Sequence, residues 1–182
     1  MKILALDIST SCVGVCLLDT NMIENQRIVI LDRIEFKKCK NIWEKADVVK
    51  KHLQHIFQTH NLIDRFCAEE ALIGFRPGMS SATTIAQLLR FNGIVSMLTR
   101  EVFSVEPEYI NSAHARKLCG IKLQRTKIGG PQKEQVFKYM SEHDLKHVVW
   151  PMTKSGKQVS WSRDATDAYV VAQAASIEGV VT

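Results

Sequence analysis

Ile3 to Leu6 is an apolar run that stops on an acid, Asp7; Ser9, Thr10 and Ser11 follow as a short turn, and Val13 to Leu18 is a second apolar run. This order predicts a strand, a tight turn and a strand, the first of them apolar on both faces as a central sheet strand is. Asn21 and Asn25 bracket a turn, and Arg27 to Phe36 alternates as a third strand, so the chain opens as an antiparallel meander. From Ile42 to Phe57 the rhythm changes: Ile42, Trp43, Ala46, Val49, Leu53, Ile56 and Phe57 recur at helical spacing, and Asn61 ends the helix. Arg65 to Ala68 is then a short strand parallel to the first, reached by the helical crossover that parallel pairing requires, and it ends on Glu69 and Glu70.

Residues 71–80 hold Gly74, Pro77 and Gly78 and read as loop, with Phe75 beside Arg76. Ser80 or Ser81 caps a long helix to Arg100, its buried face predicted as Ile85, Leu88, Leu89, Ile94, Val95 and Leu98, and Val102 to Val105 reads as a fifth strand. Tyr109 to Leu118 reads as helix, residues 119–130 as a basic, glycine-ended loop, and Pro131 as the start of a helix with Val136, Phe137 and Met140 inward. Pro151 to Ser160 is a polar stretch expected to be mobile, and a final helix starts near Ser162 with Asp164 and Asp167 in its first turn. Strands interleaved with amphipathic helices make this an α/β fold.

Length changes this picture little: 182 residues predict one domain, and 46% hydrophobic with 24% charged residues is ordinary for a soluble globular chain. No apolar run approaches the ~20 residues of a membrane helix, and the N-terminal residues lack the order of a signal peptide. Five cysteines without a C-x-x-C pair predict neither a disulfide framework nor a zinc ribbon, and with them a cytosolic setting. Charge adds more. The chain carries +5, yet residues 111–163 alone hold eleven Lys and Arg against three Asp and Glu, a basic surface suited to a polyanion.

The acids carry the chemistry. A carboxylate at the mouth of a buried strand costs several kcal/mol unless something meets it, so Asp7 either caps the turn amides of Ser9 to Ser11 or serves a metal, a partner or a reaction. Asp164 and Asp167, at i and i+3, project from one helix face; alone they would be read as complementing the helix dipole. Asp7 and the Glu69/Glu70 pair, however, end adjacent parallel strands, of which alternation lets only one glutamate face the side of Asp7. A small-residue helix packed on that sheet brings three or four carboxylates together. Such a cluster needs cations, and oxygen-only ligation selects Mg²⁺ or Mn²⁺; two ions ~3.5–4 Å apart hydrolyse phosphodiesters in line. His52, His55 and His60 have no Cys or acid in phase as a further ligand and read as decorating a helix end.

In order and spacing, the opening strand with Asp7, the F-C-A-E-E-A-L strand, the G-G-P-Q-K-E-Q-V helix start and the terminal R-D-A-T-D-A resemble the RuvC-type Holliday-junction resolvases of the ribonuclease H-like superfamily. The likeness spans nearly the whole chain. It implies a five-stranded mixed sheet with the second strand reversed, flanked by helices, in a homodimer that nicks four-way DNA junctions symmetrically. It also implies Asp7, Glu69, Asp164 and Asp167 as ligands of two Mg²⁺ ions, with Mn²⁺ as substitute, and Lys133 as the basic residue near the scissile phosphate. The family's junction-probing aromatic is replaced by Leu72, with Phe75 and Arg76 a few residues later. Arg116, Lys117, Lys122, Arg125 and Lys127 supply the phosphate contacts this reading needs.

Two other classes compete. The D-I-S-T-S-x-V-G-V turn also resembles the phosphate hairpin of actin-like kinases, but those need a second domain and a nucleotide cofactor, for which 182 residues leave no room. A branched-nucleic-acid binding module with a decayed site is opposed by the presence of all four carboxylates, while action on RNA, flaps or forks keeps the same site.

Overall fold

A computed structural model of the protein describes residues 1–71 and 81–179. Its strands are β1 (Lys2–Ile8), β2 (Cys12–Asp19), β3 (Ile28–Glu35), β4 (Arg65–Glu69) and β5 (Pro107–Ile110), and its α-helices are α1 (Ile42–His60), α2 (Ala82–Phe103), α3 (Ser112–Leu118), α4 (Thr126–Gly129), α5 (Gln132–Glu142) and α6 (Ser162–Glu178). The strands form one sheet in the order β3-β2-β1-β4-β5. β2 runs antiparallel to both its neighbours, and β1 pairs with β4, and β4 with β5, in parallel, so only the second strand is reversed. This is the predicted ribonuclease H-like architecture.

Alternation along the strands divides the core in two. Ile3, Ala5, Cys16, Leu18 and Cys67 point to the face covered by α3, α5 and α6. Leu4, Leu6, Val15, Leu17, Phe66 and Ala68 point to the face covered by α1 and α2. β1 is buried on both sides, which is why its sequence runs apolar without a break. The five cysteines are free thiols. Among the described residues no helix is long and apolar enough to cross a membrane.

Several expectations differ from the structure, among them the loop of residues 119–130, which holds the short helix α4. Val102 and Val105 do not make a strand: α2 runs on to Phe103 and stops where Ser104 turns left-handed at φ 58°, its N–H donating to the Arg100 carbonyl at 2.8 Å. The fifth strand is Pro107–Ile110, so Tyr109 and Ile110 are strand rather than helix, and α3 starts after Asn111, whose Oδ1 accepts from the amides of Ala113 and His114. The buried residues of α2 are Phe91, Asn92, Val95, Ser96, Thr99 and Phe103, and Leu89 is exposed, because only the C-terminal half of this helix lies on the sheet. The stretch from Pro151 to Ser160 is a hairpin: Met152 bridges Gln158, the Thr153 N–H donates to the Lys157 carbonyl at 2.7 Å, and Gly156 closes the turn at φ 74°. Residues 72–80, with Leu72, Phe75 and Arg76, lie outside the described residues.

Candidate active site

Asp7 is the next-to-last residue of β1. The parallel register sets Leu6 beside Ala68, so one step on Asp7 stands beside Glu69, and both share the face of Ala5 and Cys67. Glu70 falls on the other side of the pleat. It is exposed, with a 3.4 Å contact from Asn111 Nδ2.

Across the antiparallel register Asp7 faces Gly14 of β2. A Cβ built on Gly14 would lie 2.1 Å from the Asp164 carbonyl oxygen and 2.5 Å from its carbon. The missing side chain lets the first turn of α6 rest directly on the sheet, with Ala165, Ala168, Ala172 and Ala175 buried behind it. That contact delivers Asp164 and Asp167 to Asp7. Neither acts as a helix cap: α6 begins after Trp161 without any side-chain cap. Nor does Asp7 hold the β1–β2 turn, which Ser9 closes instead, its Oγ donating to the Cys12 carbonyl at 2.8 Å and accepting from the Cys12 amide at 3.2 Å.

At the centre stands Lys133. Its ammonium donates to Asp164 Oδ1 at 2.8 Å and to Asp7 Oδ2 at 3.2 Å, and lies 3.2 Å from Asp167 Oδ2. The start of α5 aims it there through consecutive residues of one motif. Gly130 takes φ 75°, Pro131 precedes the first turn, and Lys133 points to the carboxylates. Glu134 accepts both arms of Arg163 at 2.9 Å, and Gln135 clasps the basic loop by bonding the backbones of Gln124 and Gly130.

One ammonium does not balance four acids. Burial raises the pKa of Asp7, and the neighbouring Asp164 adds to that against the pull of Lys133. Burial also raises Glu69, with Asp7 adding to it, and pushes Asp167 up to about 7, again with Asp7 adding. Lys133 moves the other way: burial would lower its pKa, but Asp7, Asp167 and Asp164 together outweigh that and raise it. The cluster is therefore short of positive charge. Among the described residues no His, Cys, Asp and Glu trio forms a ready ion cage, the middle of the acids being taken by the ammonium.

Periodicity left three neighbours of the cluster unnoticed. Gly14 was signalled as a glycine inside a strand. Cys12, on the same face as Gly14 and Cys16, donates its thiol to Asp164 Oδ2 at 3.1 Å; burial, then Asp164, push that thiol up to about 11. Ser112 opens α3 and turns its hydroxyl toward Glu69. Of the candidate phosphate-binding residues, Arg116 lies close enough for its charge to act on Glu69, while Lys117, Lys122, Arg125 and Lys127 are exposed on α3, α4 and the loop between them.

No protein-family description and no curated protein sequence matches the chain. Solved structures do, and those that superpose on this fold are RuvC and other Holliday-junction resolvases. T. thermophilus RuvC in complex with a Holliday-junction substrate superposes at a TM-score of 0.68 with 10% identity, over 100% of this chain and 96% of that one. A second Thermus thermophilus RuvC structure gives 0.63 at 14% identity over the same shares of the two chains. The yeast mitochondrial resolvase Ydc2 gives 0.51 at 11% identity, over 97% of this chain and 80% of its own. The chain has the RuvC fold.

Proposed function

We propose that the protein is a metal-dependent endonuclease that resolves four-way DNA junctions. The observation that carries this reading is the convergence of Asp7, Asp164 and Asp167 on one point, with Glu69 beside them, at the mouth of a sheet whose fold is that of junction resolvases. Carboxylate oxygens alone suit a hard cation, and four acids with one ammonium leave the charge for one or two; Asp7, Glu69, Asp164 and Asp167 are the residues to hold Mg²⁺, or Mn²⁺ in its place. Bound there, the ions would supply an activated water and stabilise the leaving oxygen. The protein's own part is to hold these oxygens in a site closed on the sheet side. Lys133, half-exposed at the mouth, meets the negative charge of a phosphodiester with an ammonium that its neighbours keep protonated.

A four-way junction has two-fold symmetry, and paired nicks require two sites related by the same symmetry, so the active form is a homodimer. The N-terminal half of α2, without a buried residue before Phe91 and with Leu89 exposed, offers the surface for it. A panel of labelled junctions, flaps, forks and RNA hybrids with Mg²⁺ tests the substrate, and a cruciform plasmid tests the pairing: a dimer by sedimentation is expected to linearise the plasmid within one bound lifetime. A monomer at micromolar concentration giving chiefly nicked circles would reduce the reading to a general structure-selective nuclease.

Binding is expected to weaken steeply with salt, since each neutralised phosphate releases counterions at ~0.9 per contact in log–log slope. Charge reversal at Arg125 and Lys127 together should flatten that slope by about 2. An unchanged slope would take this loop off the DNA backbone.

A further inference from the structure

The hairpin of residues 151–160 has no part in the carboxylate cluster, yet it stands at the cluster's edge as a built element. Trp150 and Trp161 root its two stems: Trp150 is buried edge-on against Phe137, and the two indoles meet edge to face at 6.1 Å. Arg163 ties the base further, donating to the Val159 carbonyl while its guanidinium lies 4.5 Å over Phe137 and both arms reach Glu134. The arm ends in a turn closed by Thr153, whose Oγ1 accepts from the Lys157 amide.

This arm divides the mouth into two clefts that meet at Asp164. One, of about 700 Å³, runs from Lys133 and Asp164 along Met152, Gly156 and Lys157. The other, of about 520 Å³, runs past Cys12, Arg33, Glu35, Lys37 and Thr153. Their charges differ. In the second, Glu35 pairs with both Arg33 and Lys37 and cancels much of their charge. Along the first, the acids that line the wall among the described residues are Asp164 itself and Glu134, which Arg163 already occupies, and the chain between residues 145 and 163 contains no Asp or Glu at all. Met152, 62% exposed, is an apolar side chain kept in water between these cations.

We propose that the hairpin is a strand guide: one DNA strand leaves the carboxylate cluster through the Met152 and Lys157 cleft, with Lys154 and Lys157 on its phosphates and Met152 against a base unstacked beside the scissile position. The proposal rests on the nuclease reading above. Lysines supply the sequence-independent backbone contact, and methionine is among the side chains that wedge against opened base steps. A strand that is bent at a branch presents such an opened step, and a rigid arm is what holds a wedge against it.

The probe is a fluorescent four-way junction of synthetic DNA, bound in EDTA so that nothing is cut. Lys154→Ala with Lys157→Ala should weaken binding about tenfold at 0.1 M salt and lower the salt slope by about 2, while Lys37→Ala, in the balanced cleft, leaves the slope at its wild-type value. A photoreactive p-benzoylphenylalanine in place of Met152 should crosslink to one nucleotide flanking the cleavage position. Wild-type slope in the double variant and no crosslink, with the junction still bound, would overturn the strand guide and leave the nuclease reading standing. No junction binding by the wild-type protein would overturn both.

Discussion

Asp7→Asn is expected to lower Mg²⁺-dependent cleavage on the order of 10³-fold while leaving junction binding near its wild-type level. The substitution keeps the shape of a buried side chain and removes half of what it offers a cation: the charge, and one acceptor oxygen in a water-poor site, where a single preorganised electrostatic contact is worth about 10²–10³ in rate. The lysines and arginines proposed to hold DNA lie elsewhere and are untouched. Because burial already works against the ionised form of Asp7, the variant should melt no lower than the wild type, which separates lost chemistry from lost folding. Glu69→Gln should follow the same pattern, and Glu70→Gln, whose carboxylate faces outward near Asn111, should be mild. Strong cleavage by pure Asp7→Asn protein would remove this residue from the site, and a reversed ranking of the two glutamates would exchange their roles.

The second large effect is expected from one methyl group. Gly14→Ala places a Cβ 2.1 Å from the backbone oxygen of Asp164, and backbone cannot rotate aside as a side-chain tip can. Either α6 lifts from β2 or the strand bends, and both disturb a core of alanines packed without slack; overpacking of this kind costs about 1–3 kcal/mol. Activity should fall further than stability, since Asp164 rides on the displaced turn and a shift near 1 Å in a positioned group costs about 10²-fold. Urea unfolding and cleavage, measured at a temperature where the variant is folded, check the two effects separately. A variant with wild-type midpoint and wild-type cutting would show that the helix does not rest on Gly14.

The sheet was legible because β1, β2 and β4 are short, bounded apolar runs, and an acid closing a doubly buried strand is rare enough to mark a site. Asp164 and Asp167 were legible as a pair on one helix face. β5 was not: Val102, Phe103 and Val105 carry an apolar pattern that a helix end and a strand share, and the true strand opens on Pro107 and exposes Tyr109, as an edge strand does. The buried face of α2 was misread for a different reason. Periodicity says which side chains share a face but not how far along the helix the sheet extends. Lys133 was placed near the acids by resemblance alone, since nothing local tells that the start of α5 aims its side chain across to β1. The hairpin read as polar sequence because its order comes from Trp150, Trp161 and Arg163, which flank it.

The docking of α6 on β1 and β2 joins segments some 150 residues apart, and this has a consequence for how the molecule comes into being. Ile3, Ala5, Cys16, Leu18 and Cys67 lie on one face of the sheet, on strands made early, and α6, which covers them together with α3 and α5, is made well after. Pairings this distant are reached slowly, because the loop entropy is lost before the contacts are gained. Until α6 arrives that apolar face lacks its main cover, and exposed apolar surface makes a growing chain prone to aggregation. Two of the four acids arrive on that same helix, so closing the core and assembling the carboxylate cluster are one late event.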